Sequence, residues 1–243
     1  LSFLMEYLLC EKTSLTLSFF IGLIIPSIAV PWAMMEKKGW RLLLAIPGAA
    51  LTAMISMAMP DNEGGIDTPL VAGVSGAIAV SAMILPGISG SFLLLVLGQY
   101  QNAISKTTAL LSGFGKGSFD LGSFIWLASF AVGMAVGLLA FSRLLAWLLK
   151  RYRSFTMAFL IGLILGSLFV LWPFKDMSKG AQVVGRDGEI KQNVQIATAQ
   201  NRLPGDTEEG VMALVALVAG LGGSFGMIAM GRRRPEDVNG VST

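Results

Sequence analysis

No histidine occurs anywhere in the 243 residues, and cysteine occurs once, at Cys10. The first absence excludes His-based hydrolysis, His-ligated metals and haem; the second excludes an internal disulfide and a thiolate metal cluster. Charge is scarce too: Asp, Glu, Lys and Arg make up 14% of the chain, where a soluble domain carries about a quarter. There is no Gly-x-x-x-x-Gly-Lys-[Ser/Thr] phosphate loop, so ATP does not drive a process from this chain. The sequence opens Leu-Ser-Phe, without a basic region and cleavage site, so no signal peptide is expected and the start is expected to be missing.

What is abundant is apolar. Hydrophobic residues reach 54%, and the mean hydropathy is +0.70. About 20 consecutive apolar residues suffice to cross a bilayer. Windows of that kind predict spans over Leu15–Met35, Arg41–Met59, Gly122–Leu149, Phe155–Phe174 and Val211–Met230, with Leu1–Leu9 as the tail of an earlier helix. The predicted class is an all-α, polytopic transmembrane bundle. The net charge of +3 reports topology in such a protein; no nucleic-acid partner is expected.

Loop charges set the orientation. Lys37, Lys38 and Arg41, then Lys150, Arg151 and Arg153, then Arg232, Arg233 and Arg234 mark cytoplasmic segments; Pro60–Pro69 holds Asp61, Glu63 and Asp67 without a cation and is placed outside. The apolar region Leu70–Ile104 must then return to the side it came from, because Gly122–Leu149 supplies the one crossing left to make. A re-entrant helical hairpin, or two tightly paired spans, satisfies that parity. Its turn falls in the stretch Pro86-Gly-Ile-Ser-Gly-Ser91.

The same stretch carries the best candidate chemistry. Pro86 is a structural break, since it cannot donate a backbone hydrogen bond. Gly87 and Gly90 permit sharp turns, Ser89 and Ser91 add hydroxyls, and Ser91 is expected to open a helix running through Leu97. Free N–H groups and hydroxyls at mid-membrane suit a phosphate; a tight hairpin or close-packing surface explains the same residues. Ser75, in the related pattern Ala72–Ala77, either lines the same cavity or marks a helix crossing. Arg143 either meets an anion or snorkels to the cytoplasmic surface. Glu6 either carries a coupling proton or lies at the surface. Gln99 and Tyr100 either touch a head group or anchor the interface. No metal site and no cofactor are expected; the coupling ion would be H⁺ or Na⁺.

The chain also repeats itself. Offsetting it by 140 aligns residues 1–32 with 141–172 at 14 identities, among them Ser14/Ser154, Thr16/Thr156, Gly22/Gly162, Ser27/Ser167 and Trp32/Trp172. Shared apolar composition gives roughly three or four. The loops Cys10–Thr13 and Lys150–Arg153 fall on opposite sides in the topology above, so the repeats are inverted, an architecture of secondary transporters whose binding sites lie at mid-membrane. The expected organisation is a first-repeat remnant over 1–59, a second repeat over 60–173 with its re-entrant element at 70–104, an extracytoplasmic loop at 174–209, a final span at 210–231 and a cytoplasmic tail at 232–243. The offset puts a partner for the break about fifty residues before Leu1.

The segments "MILPGISGSFLLLVLGQY" and "LLAFSRLLAWLLKRYRSFTMAFLIGLILGSL" resemble the bacterial polyprenyl-phosphate transporters, formerly a domain of unknown function. The resemblance covers Leu1 to about Trp172. It implies a multi-pass protein of the bacterial inner membrane that returns undecaprenyl phosphate to the cytoplasmic leaflet for cell-wall synthesis. For that substrate, Gly87, Ser89, Gly90 and Ser91, with Arg143 as a further candidate, are expected to bind the phosphate. The family's earlier Pro-Gly-x-Ser-Gly-Gly motif has no counterpart here. A transporter of a small soluble anion, or a membrane lipid phosphatase, are the competing classes; the missing His and the lack of paired intramembrane carboxylates speak against the second.

Overall fold

Apolar runs of this length leave the backbone no partners but its own, so they fold as helices. In the computed structural model, which describes residues 12–35, 39–58, 65–116, 120–176 and 199–232, five helical stretches are long and apolar enough to cross a membrane: Thr13–Met34, Gly39–Met57, Leu121–Arg151, Arg153–Val170 and Thr207–Ile228. They coincide with the five predicted spans. The protein is an all-α, multi-pass membrane protein.

In chain order the α-helices are α1 (Thr13–Ile24), α2 (Ala29–Met34), α3 (Ala45–Met57), α4 (Pro69–Ile84), α5 (Gly90–Val96), α6 (Tyr100–Lys116), α7 (Leu121–Arg151), α8 (Arg153–Val170) and α9 (Thr207–Arg232). Two 3₁₀ turns, Ile25–Ile28 and Gly39–Leu44, lead into α2 and α3, and a two-residue ladder joins Lys175–Asp176 to Gln200–Asn201. Helix starts follow local chemistry. Thr68 caps α4 ahead of Pro69 at its first position, and the Asp120 carboxylate accepts from the Gly122 and Ser123 N–H groups to cap α7. Asp120 also accepts from the Ser123 hydroxyl at 2.6 Å, which with the backbone bonds holds its pKa below the usual carboxylate value.

Small residues decide which helices meet. Where a helix presents glycine, a neighbouring backbone can come within touching distance. A Cβ on Gly133 would strike the Gly73 backbone, and one on Gly137 would meet Ala77, so α4 and α7 lie side by side. Gly48 packs on the Phe159 carbonyl, Gly162 on that of Ala45, and the Thr52 hydroxyl donates to Leu163 O at 3.3 Å; these tie α3 to α8. Ala45 and Ala49 meet Gly162 and Gly166, and Gly73 and Ala77 meet Gly133 and Gly137, so the helices in each pair run parallel.

A third pair repeats the second position by position. Gly220 packs on the Phe19 carbonyl, Gly22 on that of Leu217, and the Ser224 hydroxyl donates to Leu23 O at 2.8 Å. Adding 140 to Phe19, Gly22 and Leu23 gives Phe159, Gly162 and Leu163; adding 172 to Ala45, Gly48 and Thr52 gives Leu217, Gly220 and Ser224. Helix starts match as well. Lys12 (φ −132°, ψ 43°) precedes α1 and Tyr152 (φ −130°, ψ 43°) precedes α8, each accepting a hydroxyl bond from the threonine four residues on. Helix α9 therefore stands to α1 as α3 stands to α8, a relation that no local motif in the last span announces.

The two halves run oppositely. Lys12–Leu15, at the start of α1, share a cavity with Pro173 and Lys175, just past the end of α8; Met34 and Arg41 share another with Tyr152–Phe155, at the start of α8.

Candidate functional site

The candidate site is the interruption between α4 and α5. Helix α4 ends at Ile84, Leu85 turns extended (φ −80°, ψ 130°), and Gly87 takes φ +90°, a conformation that L side chains rarely adopt. The chain then reverses. Gly90 lies against Ala79 O and Met83, and at its far end Gly98 (φ +68°) accepts a 2.8 Å bond from Gly65 N, beside the start of α4. The Gln99 amide donates to Ile66 O, Asn102 donates to Gly65 O and to the Gln99 side chain, and Lys106 pairs with Asp67 at 2.7 Å. Segment 65–106 thus leaves and regains one end of the molecule as a hairpin. Gln99, nearly fully buried, is its latch.

Helix α5 opens at Ser89, not at the expected Ser91. The Ser89 hydroxyl accepts from Phe92 N, and Ser89 and Ser91 Oγ lie 2.9 Å apart. The cap moves because Gly90, with no side chain, already sits in the helix against α4. Gly87, Ser89 and Ser91 are exposed, Gly90 is buried and Pro86 is half-buried. A Cβ on Gly87 would lie 2.8 Å from Leu163 O and 2.9 Å from Ser167 Cβ, which seats the break beside the middle of α8, about 15 Å along it.

The other sequence candidates are not gathered there. Ser75 is buried in α4, about 14 Å before that helix ends. Arg143 is exposed on α7, about 12 Å before its end and so at a depth similar to the break, but it forms no hydrogen bond or ion pair with Pro86–Ser91. Glu6 lies outside the described residues. No group of three or more His, Cys, Asp or Glu able to hold a metal occurs among the described residues.

Sequence reasoning passed over the two ends of the bundle. One end has a cavity of about 650 Å³ lined by Met34, Arg41, Lys150 and Tyr152–Phe155, with the Arg41 guanidinium 4.8 Å from the centre of the Phe155 ring. The other has a cavity of about 320 Å³ lined by Lys12–Leu15, Pro173, Lys175, Arg202 and Glu209. There Glu209 is bound by Arg202 at 2.7 Å, Ser14 at 2.8 Å and Gly205 N at 3.0 Å. Lys175 is 8% exposed and desolvation lowers its pKa to about 8. The signal for both cavities was the repeat: Ser14 and Ser154, 140 apart, line one each.

A membrane protein whose hairpin is built on Pro-Gly-Ile-Ser-Gly-Ser can be set against known families. Residues 1–187 match the model of the VCA0040-like family, described as undecaprenyl phosphate translocase-like. The chain belongs to this family. It is 41% identical over 163 residues to a "Polyprenyl-phosphate transporter" of Vibrio cholerae serotype O1, covering 65% of this chain and 47% of that protein. It is 32% identical over 190 residues to a "Polyprenyl-phosphate transporter" of Staphylococcus aureus, covering 71% of this chain and 63% of that one. The chain spans about half to two thirds of the length of these family members. No solved structure matches it.

Proposed function

We propose that the protein translocates a polyprenyl phosphate, undecaprenyl phosphate in particular, from the outer to the cytoplasmic leaflet of the bacterial inner membrane, returning the carrier lipid to cell-wall synthesis. Family membership supports the substrate class. The observation that carries the reading is the hairpin break itself: the exposed Ser89 and Ser91 hydroxyls and the exposed Gly87, held beside the middle of a spanning helix. Irregular backbone at that depth needs protein or water around it, and a phosphate head group finds donors there while its isoprenoid tail stays among lipid.

A charge at the bilayer centre costs about 3 kcal/mol on insertion scales. Charge-assisted hydrogen bonds return about 1.5–3 kcal/mol each, so two or three donors offset the transfer. Carrying an anion towards a negative interior costs about 2.3 kcal/mol per charge per 100 mV; cotransport of H⁺ or Na⁺ removes that penalty. The protein acts as a transporter and not as an enzyme in this reading.

Surface labelling of undecaprenyl phosphate in cells tests it. Expression should lower the carrier exposed on the outer face, and Ser89→Ala with Ser91→Ala should restore it. An outer-face pool indifferent to the protein would overturn the function. Proteoliposome uptake unaffected by both proton and sodium gradients would remove the coupling.

A further inference from the structure

The cavity around Lys175 has more positive charge than its position requires. Loop charges put this end outside, where the usual bias towards Lys and Arg gives no reason for cations. Yet its lining includes Lys12, Lys175 and Arg202 against the single carboxylate of Glu209, a formal surplus of two positive charges. Glu209 is already committed to Arg202, Ser14 and the Gly205 N–H. Lys12 and Lys175 form no ion pair among the described residues.

Lys175 is the informative member. A buried ammonium is costly unless its protons are bonded. Its Nζ donates to Ala199 O at 3.3 Å and to Asn201 Oδ1 at 3.2 Å, both neutral acceptors, which leaves the third proton and the whole charge uncompensated beside a cavity of about 320 Å³. A group held this way is ready for an anion.

The cations are also not inherited from the repeat. At the opposite end, equivalent positions carry Tyr152 for Lys12, Arg153 for Thr13 and Arg41 for Ala213. Each cavity is framed by the same backbone, and each acquires its positive charge from different residues.

We propose that Lys12, Lys175 and Arg202 form a docking site for a phosphomonoester at the extracytoplasmic end of the bundle. The proposal rests on the transport reading for its lipid: the head group is captured here before it reaches the hairpin break. The cavity itself selects for phosphate, whether on a lipid or free.

Calorimetric titration of the full chain in nanodiscs tests this with two probes, farnesyl phosphate and inorganic phosphate. Lys12→Gln and Lys175→Gln should each weaken binding about tenfold, the effect of losing one charge-assisted bond, while Lys175→Arg retains it. Lys12 is exposed at a helix start, so its variant folds even where a change at buried Lys175 does not. Affinities within twofold of wild type for both Gln variants, with unchanged melting temperatures, would overturn the site and leave the transport reading intact. Farnesyl phosphate displaced only by lipid phosphates supports both; inorganic phosphate binding without farnesyl phosphate supports the anion site and defeats the lipid reading. Failure of wild type to bind either probe overturns both.

Discussion

Gly87 has two separate reasons to be glycine: a φ of +90° and no room for a Cβ against the Leu163 carbonyl. Gly87→Ala should therefore destabilise the protein by about 1–3 kcal/mol, read as a lower melting temperature, before any question of ligand arises. Ser91 is exposed, and among the described residues its hydroxyl bonds only to that of Ser89, so Ser91→Ala should leave stability within about 0.5 kcal/mol while lowering transport. The contrast separates a residue that shapes the break from one that uses it. Lys175 makes a second residue-scale prediction. Its folded pKa, about 8, lies below the ordinary 10.5, so between those values the folded state holds fewer protons than the unfolded one, and stability rises with pH across that window. The charged groups lining the cavity with it are Lys12, Arg202 and Glu209. Melting temperature against pH should climb from 8 to 10 in wild type and flatten in Lys175→Met. An equal slope in both would show that another group is responsible.

At the scale of elements, the helix crossings depend on glycines in matched places. A Cβ on Gly162 would drive into Ala45 O and one on Gly22 into Leu217 O, whereas one on Gly222 would point into space clear of the neighbouring helices among the described residues. Gly162→Val and Gly22→Val should each cost about 1–3 kcal/mol through overpacking, and Gly222→Ala should stabilise by up to about 1 kcal/mol through helix propensity. Thermal melts in one detergent decide it; equal effects at all three positions would mean the crossings do not rely on close approach. The spans were legible in the sequence because twenty apolar residues are an unambiguous signal, and the hairpin was legible because loop charge fixed its parity. Helix α6 was not, since it runs from the apolar Ala103-Ile104 into Lys106-Thr107-Thr108, and tertiary contacts, among them those to Asp67 and Gly65, hold its start. Nor was the kinship of α9 with α3. Over 42–52 and 214–224 only Leu42/Leu214 and Gly48/Gly220 are identical, with Thr52 answered by Ser224. Those few positions suffice because a crossing needs one close approach and one hydroxyl, and lipid-facing positions need only be apolar.

Taken as a whole molecule, the bundle has two polar ends with opposed parentage: each cavity combines the start of one repeat helix with the finish of the other. Lys12 and Arg202 line one, Arg41 and Arg151 the other, and α8, at 18 residues, is about 27 Å long between them. That is close to the hydrocarbon thickness of a bilayer, so the two ends must meet water on opposite faces. Single cysteines introduced at these four positions, in a Cys10→Ser background, should divide two and two. Lys12→Cys and Arg202→Cys should react with an impermeant maleimide added to intact cells, and Arg41→Cys and Arg151→Cys only after the membrane is opened. Labelling of Lys12→Cys together with Arg151→Cys from one face would put both starts of the repeated helices on the same side, and the antiparallel arrangement that gives the hairpin break its place at mid-membrane would fall with it.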